Sequence, residues 1–250
     1  MKSIIYSLII FFIIIITSSA YSQFHFGIQY TDKDISAQRE LFKNANVESA
    51  VVTDKYFNEK ITIDRDGKIL EKISYQLGDE DAVDGRSIYG YDIEGRLISI
   101  NYESGDARKP DEFIYDSNGN ISRYISEISD ERYLYNEVNE LVSSEIMQQK
   151  IEMSPIESVR YENGLMSESR TKCWNEGVNA PFTFSKTKYT YDTKQRVTSI
   201  LYIYGNCKTG VEEVSSETTI EYNEMNLPVK YITKDNFGNK NINTISYKYF

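Results

Sequence analysis

The residue types that carry most protein chemistry are sparse here. In 250 residues there is one histidine, His25, one tryptophan, Trp174, and two cysteines, Cys173 and Cys207. A lone histidine excludes Ser–His–Asp and Cys–His nucleophile systems. It also argues against histidine-ligated metals and imidazole acid–base catalysis. The sequence has no Gly-x-Ser-x-Gly elbow and no phosphate-binding glycine loop. Carboxylates are plentiful, with 38 Asp and Glu, but no spacing singles out a pair for glycoside hydrolysis. The densest group is Gly78-Asp79-Glu80-Asp81-Ala82-Val83-Asp84-Gly85. Its oxygens suit Ca²⁺, yet Val83 stands where the EF-hand spacing needs a ligand. A solvated hairpin tip is the simpler reading. No catalytic residue, cofactor or metal site is therefore expected.

Aromatic residues are the other resource, with 21 Tyr and 11 Phe. Around the tryptophan the chain reads Cys173-Trp174-Asn175-Glu176-Gly177-Val178-Asn179-Ala180-Pro181-Phe182-Thr183-Phe184. Trp174, Phe182 and Phe184 are the candidate binding residues, since Trp is enriched at binding hot spots and irregular loops often carry function. The competing reading is that Trp174 and Phe182 plug an open end of the fold. A net charge of −10 provides no basic footprint for nucleic acid.

These residues must be positioned by something, and the chain supplies a repeat. Tyr89-Gly90-Tyr91-Asp92 precedes Ile93-Glu94-Gly95-Arg96-Leu97. Phe113-Ile114-Tyr115-Asp116 precedes Ser117-Asn118-Gly119-Asn120-Ile121. Related copies run from Ile61-Thr62-Ile63-Asp64 to Ile69, Tyr133-Leu134-Tyr135-Asn136 to Leu141, and Tyr189-Thr190-Tyr191-Asp192 to Val197. Tyr161-Glu162 leads to Leu165 two residues short, and Tyr222-Asn223 leads to Leu227 one short. Tyr247-Lys248-Tyr249 is a half-copy. Large residues at i and i+2 share one face of a strand. Asp or Asn then bonds the backbone two residues on, Gly67, Gly95 and Gly119 supply positive φ, and an apolar residue opens the return strand. The unit is a β-hairpin with a loop of about four or five residues. Stacked tyrosines should form a buried cross-strand ladder.

This pattern resembles the YD-repeat (Rhs) family of secreted and surface bacterial proteins over about residues 61–250. The resemblance implies strand–turn–strand units lined up in a long curling sheet. Large members of that family wrap the sheet into a shell around a toxin. At this length no such shell is expected, nor a separate toxin-like carboxy-terminal domain. The family defines no catalytic residues within its repeats.

The fold class expected is all-β: a curved antiparallel sheet of seven or eight consecutive hairpins, with one short N-terminal helix. Residues 132–150 also show helical spacing through Leu134, Val138, Leu141, Val142 and Glu145, but the repeat register assigns them to strands. Residues 1–20 read as a cleaved signal peptide: Lys2, an apolar run to Ile16, then small residues to Ala20. The run is too short to span a bilayer. Residues 21–60 form a cap segment. There, Phe24, Phe26 and Ile28 alternate, Asp34 caps a helix through Leu41 and Phe42 that covers the first sheet edge, and 47–57 is the first strand.

Export favours a disulfide. Aligning the copies puts Cys173 and Cys207 on return strands of neighbouring hairpins, near the tips away from the Tyr-Asp turns. The protein is then a secreted or periplasmic, non-catalytic β-repeat module that binds a protein or glycan at the cell envelope, with no nucleic acid and no membrane span after signal cleavage. A structural or toxin-associated Rhs-like component is the alternative, and a carboxylate-dependent hydrolase the third.

Overall fold

The computed structural model describes residues 32–55, 57–76, 79–103, 109–149, 155–175 and 182–250. Residues 1–20, expected to be a signal peptide, and the segment with Phe24, Phe26 and Ile28 lie outside them. Helix α1 (Asp32–Asn44) is followed by β1 (Val47–Thr53), β2 (Phe57–Ile63), β3 (Ile69–Gln76), β4 (Asp79–Tyr91) and β5 (Leu97–Glu103). Then come β6 (Asp111–Tyr115), β7 (Ile121–Ile125), β8 (Ser129–Tyr135), β9 (Leu141–Gln149), β10 (Ile156–Glu162) and β11 (Leu165–Thr171). The chain continues through β12 (Trp174–Asn175), β13 (Phe182–Tyr191), β14 (Val197–Asn206), β15 (Glu212–Tyr222), β16 (Pro228–Asp235) and β17 (Lys240–Tyr249). The segment with helical spacing forms the end of β8, a turn and β9, as the repeat register requires.

All seventeen strands belong to one antiparallel sheet. Consecutive strands pair, and β1 pairs with both β2 and β17. The last strand therefore forms a hairpin partner for the first, and the curled sheet has no edge there. The two strands left at the ends of the order are β9 and β10, which follow each other in sequence. No backbone ladder joins them among the described residues. The Ile156 N–H donates instead to Ser144 Oγ at 2.9 Å, and Tyr161 Oη donates to the Leu141 carbonyl at 3.2 Å. The result is a nearly closed barrel with one side-chain-bridged seam.

The turns follow the repeat, with one refinement. Asp64, Asp92, Asp116, Asn136, Asp192 and Asn223 each accept backbone N–H groups through Oδ1, in every copy including that of the residue four positions on. Their own N–H donates to the carbonyl of that residue. This closes a three-residue loop, tighter than expected: a type I turn followed by a left-handed residue. That residue is Gly67, Gly95 or Gly119, but also Asn139, Gln195 or Asn226. The shortened copy at 162–165 is a two-residue turn in which Asn163 and Gly164 both have positive φ, the type I′ geometry that matches strand twist. The Leu227 copy is not shortened. Tyr222 pairs with Pro228, so Leu227 takes the place held by Arg96 and Arg196 in other copies.

Helix α1 does not cover a sheet edge; it lies across the turn end of the first hairpins. Arg39 Nε donates to the Asp66 carbonyl at 3.1 Å and Nη1 to the Gly95 carbonyl at 3.3 Å. A Cβ on Gly67 would stand 2.0 Å from the Arg39 carbonyl, so this approach requires glycine. Phe42 is fully buried beneath the helix.

Inward residues form three levels along each hairpin. Nearest the turns are Ile63, Ile69, Leu97, Ile121, Leu141, Val197 and Leu227, all buried. The second member of each pair, a tyrosine in all but the first copy, stands among them, and each tyrosine reaches across to the previous hairpin; in the last half-copy the inward pair is Ile245 and Tyr247 rather than Tyr247 and Tyr249, which is exposed. Tyr91, Tyr115, Tyr135, Tyr161, Tyr191, Tyr222 and Tyr247 donate to the carbonyls of Ile69, Leu97, Ile121, Leu141, Met166, Val197 and Pro228. Each bond clamps one copy to the next and contributes about 1 kcal/mol. The ladder is thus both packing and hydrogen bonding, and Tyr161 carries it across the seam. The second level holds Ile61, Ile100, Phe113, Tyr124, Tyr133, Ile200, Ile220, Tyr231 and Ile245. Two residues before the first member of each pair, the third level is polar.

Candidate functional site

The predicted binding segment lies at the end of the barrel away from the Tyr-Asp turns. Strand β11 pairs with β13 through Glu168, Ser169 and Arg170, and β12 takes its place further along through Trp174 and Asn175. Between them the chain bulges. Thr171 Oγ1 accepts the Ser185 N–H at 3.0 Å in place of a ladder bond. The bulge carries Cys173 around the start of β13 to Cys207, which follows β14. The two form a disulfide with Cα atoms 6.2 Å apart. Strands separated by an intervening strand lie nearly 10 Å apart, so both tips bend toward each other. The Cys207 N–H also donates to the Phe182 carbonyl at 2.9 Å.

Around this link the loop ends of β13 to β17 form a rim. Phe182 is 57% exposed, Val211 56%, Val214 47% and Phe237 84%. Trp174 is half-buried, with its ring 6.5 Å from that of Tyr204. The Asn236 N–H donates to the Ser215 carbonyl, which holds the Phe237 turn beside β15. An Asx turn at Asp235, with Gly238 at positive φ, shapes that tip in the same way as the opposite end. Beside the rim, Lys186 pairs with Glu212, and its hydrogen bond holds the Glu212 carboxyl below the usual range.

Phe184 is not part of this surface. It is 4% exposed, on the outer side of the sheet. Gly205 opposite has no side chain, and a Cβ there would come 2.0 Å from the Phe184 ring. The Arg170 guanidinium covers the ring at 4.0 Å. Its role is packing. Nor does the acidic segment sit on a hairpin tip: Asp79 to Asp84 lie within β4, just past the turn. Asp84 accepts from Gln76 Nε2 at 3.2 Å, and the side chains of Asp79, Glu80 and Asp81 lie outside the described residues. Among the described residues no group of three His, Cys, Asp or Glu is placed to hold a metal.

The polar third level was missed by the sequence reading, although its signal is regular. Glu59, Ser87, Asp111, Glu131, Glu157, Thr187, Thr218 and Asn243 each stand two residues before a repeat pair. All but Glu157 and Thr187 are buried. Asp111 Oδ2 accepts from Tyr102 Oη at 2.6 Å and Tyr124 Oη at 2.7 Å. Glu131 accepts from Tyr133 Oη at 3.1 Å, and Ser144 donates to it. Glu59 Oε1 accepts from Ser74 Oγ at 3.1 Å and faces Lys72 Nζ at 3.2 Å. Burial pushes the carboxyls of Glu59 and Glu131 up, against the pull of these donors. These carboxylates are anchored parts of the wall.

No protein-family model matches the chain, and no curated protein matches its sequence. Similar solved structures include a chain of the TcdB2–TccC3–Cdc42 complex, at 13% identity and a TM-score of 0.33 over 74% of this chain. This chain spans 12% of that one. A porin-like protein from Bacteroides uniformis is 12% identical with a TM-score of 0.42, covering 81% of this chain and 96% of its own. One from Bacteroides vulgatus is 10% identical with a TM-score of 0.31, covering 81% and 98%.

Proposed function

We propose that the protein is an exported, non-catalytic module of YD-repeat type, and that it binds a protein or glycan at the cell envelope through the rim around Trp174, Phe182, Val211 and Phe237. The observation that carries this is a contrast in how side chains are used. The seven second tyrosines, together with Tyr102, Tyr124 and Tyr133, hold the wall together through their hydroxyls, and the buried carboxylates accept hydrogen bonds from them. The rim instead presents large apolar side chains to solvent on loops pinned by a disulfide. Preorganised aromatic loops bind with little ordering cost. The disulfide is a bond typical of oxidising, extracytoplasmic compartments.

The outer wall supports a water-facing rather than lipid-facing barrel. Outward strand positions carry cross-strand ion pairs, Arg86 with Glu71 and Glu103, Arg123 with Asp130, and Lys230 with Glu221. A transmembrane barrel presents an apolar band there. Immobilised mature protein incubated with detergent-solubilised envelope and, separately, with a glycan array tests the reading. Specific capture that is lost on Trp174→Ala or Phe182→Ala is expected. Turnover of a glycan, abolished by one Asp or Glu substitution, would overturn the non-catalytic assignment.

A further inference from the structure

Basic side chains that face one another across the strands bring a carboxylate with them, with one exception. Among the described residues three cross-strand pairs are basic on both sides: Arg123 with Arg132, Arg170 with Lys186, and Lys234 with Lys240. Like charges directly opposite each other are destabilising. In the first pair, Asp130 bonds Arg123 through both oxygens, at 2.7 and 2.5 Å. In the second, Glu157 lies 3.5 Å from Arg170, and Glu212 pairs with Lys186. In the third, neither ammonium has a carboxylate at ion-pair distance among the described residues.

Lys234 and Lys240 are both exposed, at the base of the β16–β17 hairpin whose tip carries Phe237. The carboxylates nearest to them in the chain and the sheet are turned to other donors. Asp235 Oδ1 accepts the Phe237 and Asn239 N–H groups, and its Oδ2 accepts Asn239 Nδ2 at 2.7 Å. The Asn239 bond holds the Asp235 carboxyl below the usual range. Glu217 stands opposite Lys234, but its Oε1 turns away to β14 and accepts from Ser199 Oγ at 3.1 Å. The hairpin therefore presents two ammonium groups and an exposed aromatic ring, with no anion of its own between the lysines.

We propose that this hairpin is the part of the rim that recognises an acidic glycan, a chain of sugars bearing carboxylate or sulfate groups, with one acid group seated between Lys234 and Lys240 and a sugar ring against Phe237. The proposal rests on the reading of the rim as the binding surface and narrows its ligand class. The ligand's anion supplies what Asp130 supplies to Arg123. Phe237 is three positions from each lysine, about 10 Å of extended chain at most, so both contacts fall within a short oligosaccharide. Asn236, Gly238 and Asn239 flank the ring. Their amides and backbone suit sugar hydroxyls, whereas seating in lipid requires a broad apolar face.

Retention of the whole mature protein on matched glycans tests this: polygalacturonate beside its methyl ester, and dextran sulfate beside dextran. At least one charged member should be held about tenfold more tightly than its neutral counterpart, and the difference should vanish at about 1 M salt. Lys234→Gln with Lys240→Gln should lower that retention about tenfold, as loss of two exposed ion pairs does. Its Tm should be unchanged or higher, because the like charges are gone. Lys240→Glu, which sets opposite charges face to face, should raise Tm and abolish the preference. A gain in stability with a loss of binding is not what a structural role for the lysine would give. Equal retention of charged and neutral members, retention on none, or a preference that survives both variants would overturn the proposal. Binding to phosphatidylglycerol vesicles in place of the glycans would overturn it in favour of a lipid surface. In each of these cases envelope capture that is lost on Trp174→Ala still upholds the rim, so the two failures are distinguishable.

Discussion

The two ends of the barrel interior are built from opposite materials. At the turn end, most copies repeat an aliphatic residue, a tyrosine–carbonyl clamp and an Asx-bonded turn, and helix α1 lies across the first of them. At the far end the inner wall is polar, the loops differ from one another, and apolar side chains face outward on the rim. Both ends come from the same strands, and the polar level stands only four residues from the tyrosine of the turn level. The regular end specifies the fold; the irregular end is where the proposed function places the ligand. In a sheet of consecutive hairpins each copy needs its neighbour, and the clamps provide that dependence.

The largest expected effect is at the turn end. Leu97→Ala should destabilise by about 3 kcal/mol in denaturant unfolding, as large-to-small changes in a packed core do. Thr218→Val, on the polar level, should cost only about 1 kcal/mol for the lost 2.8 Å contact with Thr233. Equal losses at both positions would erase the proposed division.

The clamps come next. Tyr191→Phe removes one hydroxyl and leaves the Met166 carbonyl without that donor, so about 1–2 kcal/mol should be lost with the ring still in place. No change in midpoint would show that the clamps are incidental to packing.

The two ends should also respond to pH with opposite sign. At the turns, burial alone would raise Asp92 and Asp192, but hydrogen bonds from the Arg96 and Arg196 backbone and side chains outweigh it and hold both carboxyls low. Their contribution is present above the ordinary aspartate range and is lost as pH falls through the depressed values. On the polar level, burial raises Glu131, so its contribution is complete below the ordinary glutamate range and is lost as pH rises toward the raised value. Glu131→Gln should therefore flatten the decline in stability above about pH 4.5 and leave the acid limb intact. Loss of the acid limb in that variant would contradict the assignment.

A smaller gain should come from the left-handed turn position at φ 65° held by Gln195. Gln195→Gly should stabilise by about 0.5–1 kcal/mol, because a side chain there is strained.

Much of this was legible in the sequence. The Tyr-x-Tyr-Asp spacing gave strand parity, turn positions and the strand state of β9 against a helical pattern. The disulfide followed from aligned copies. Other features depend on distance in the chain. Nothing local marks β1 as the partner of β17, since each strand alone reads as an ordinary hairpin arm. The turns with Asn139, Gln195 and Asn226 at the left-handed position lack the glycine signal and were located by the repeat register alone. Phe184 was grouped with Phe182 by proximity, though it is Arg170, from another hairpin, that covers its ring. The polar level was present in the spacing, but single residues such as Glu131 or Asn243 carry no signal until the copies are stacked.

The central claim is that the rim binds while the rest of the barrel holds shape. The most direct test pairs two measurements on Trp174→Ala, Phe182→Ala and Phe237→Ala: Tm, and capture from solubilised envelope. The account predicts that Tm stays within about 2 °C, as for surface changes, while capture falls at least about tenfold. Undiminished capture in all three variants, or a collapse in Tm that accompanies its loss, would contradict it.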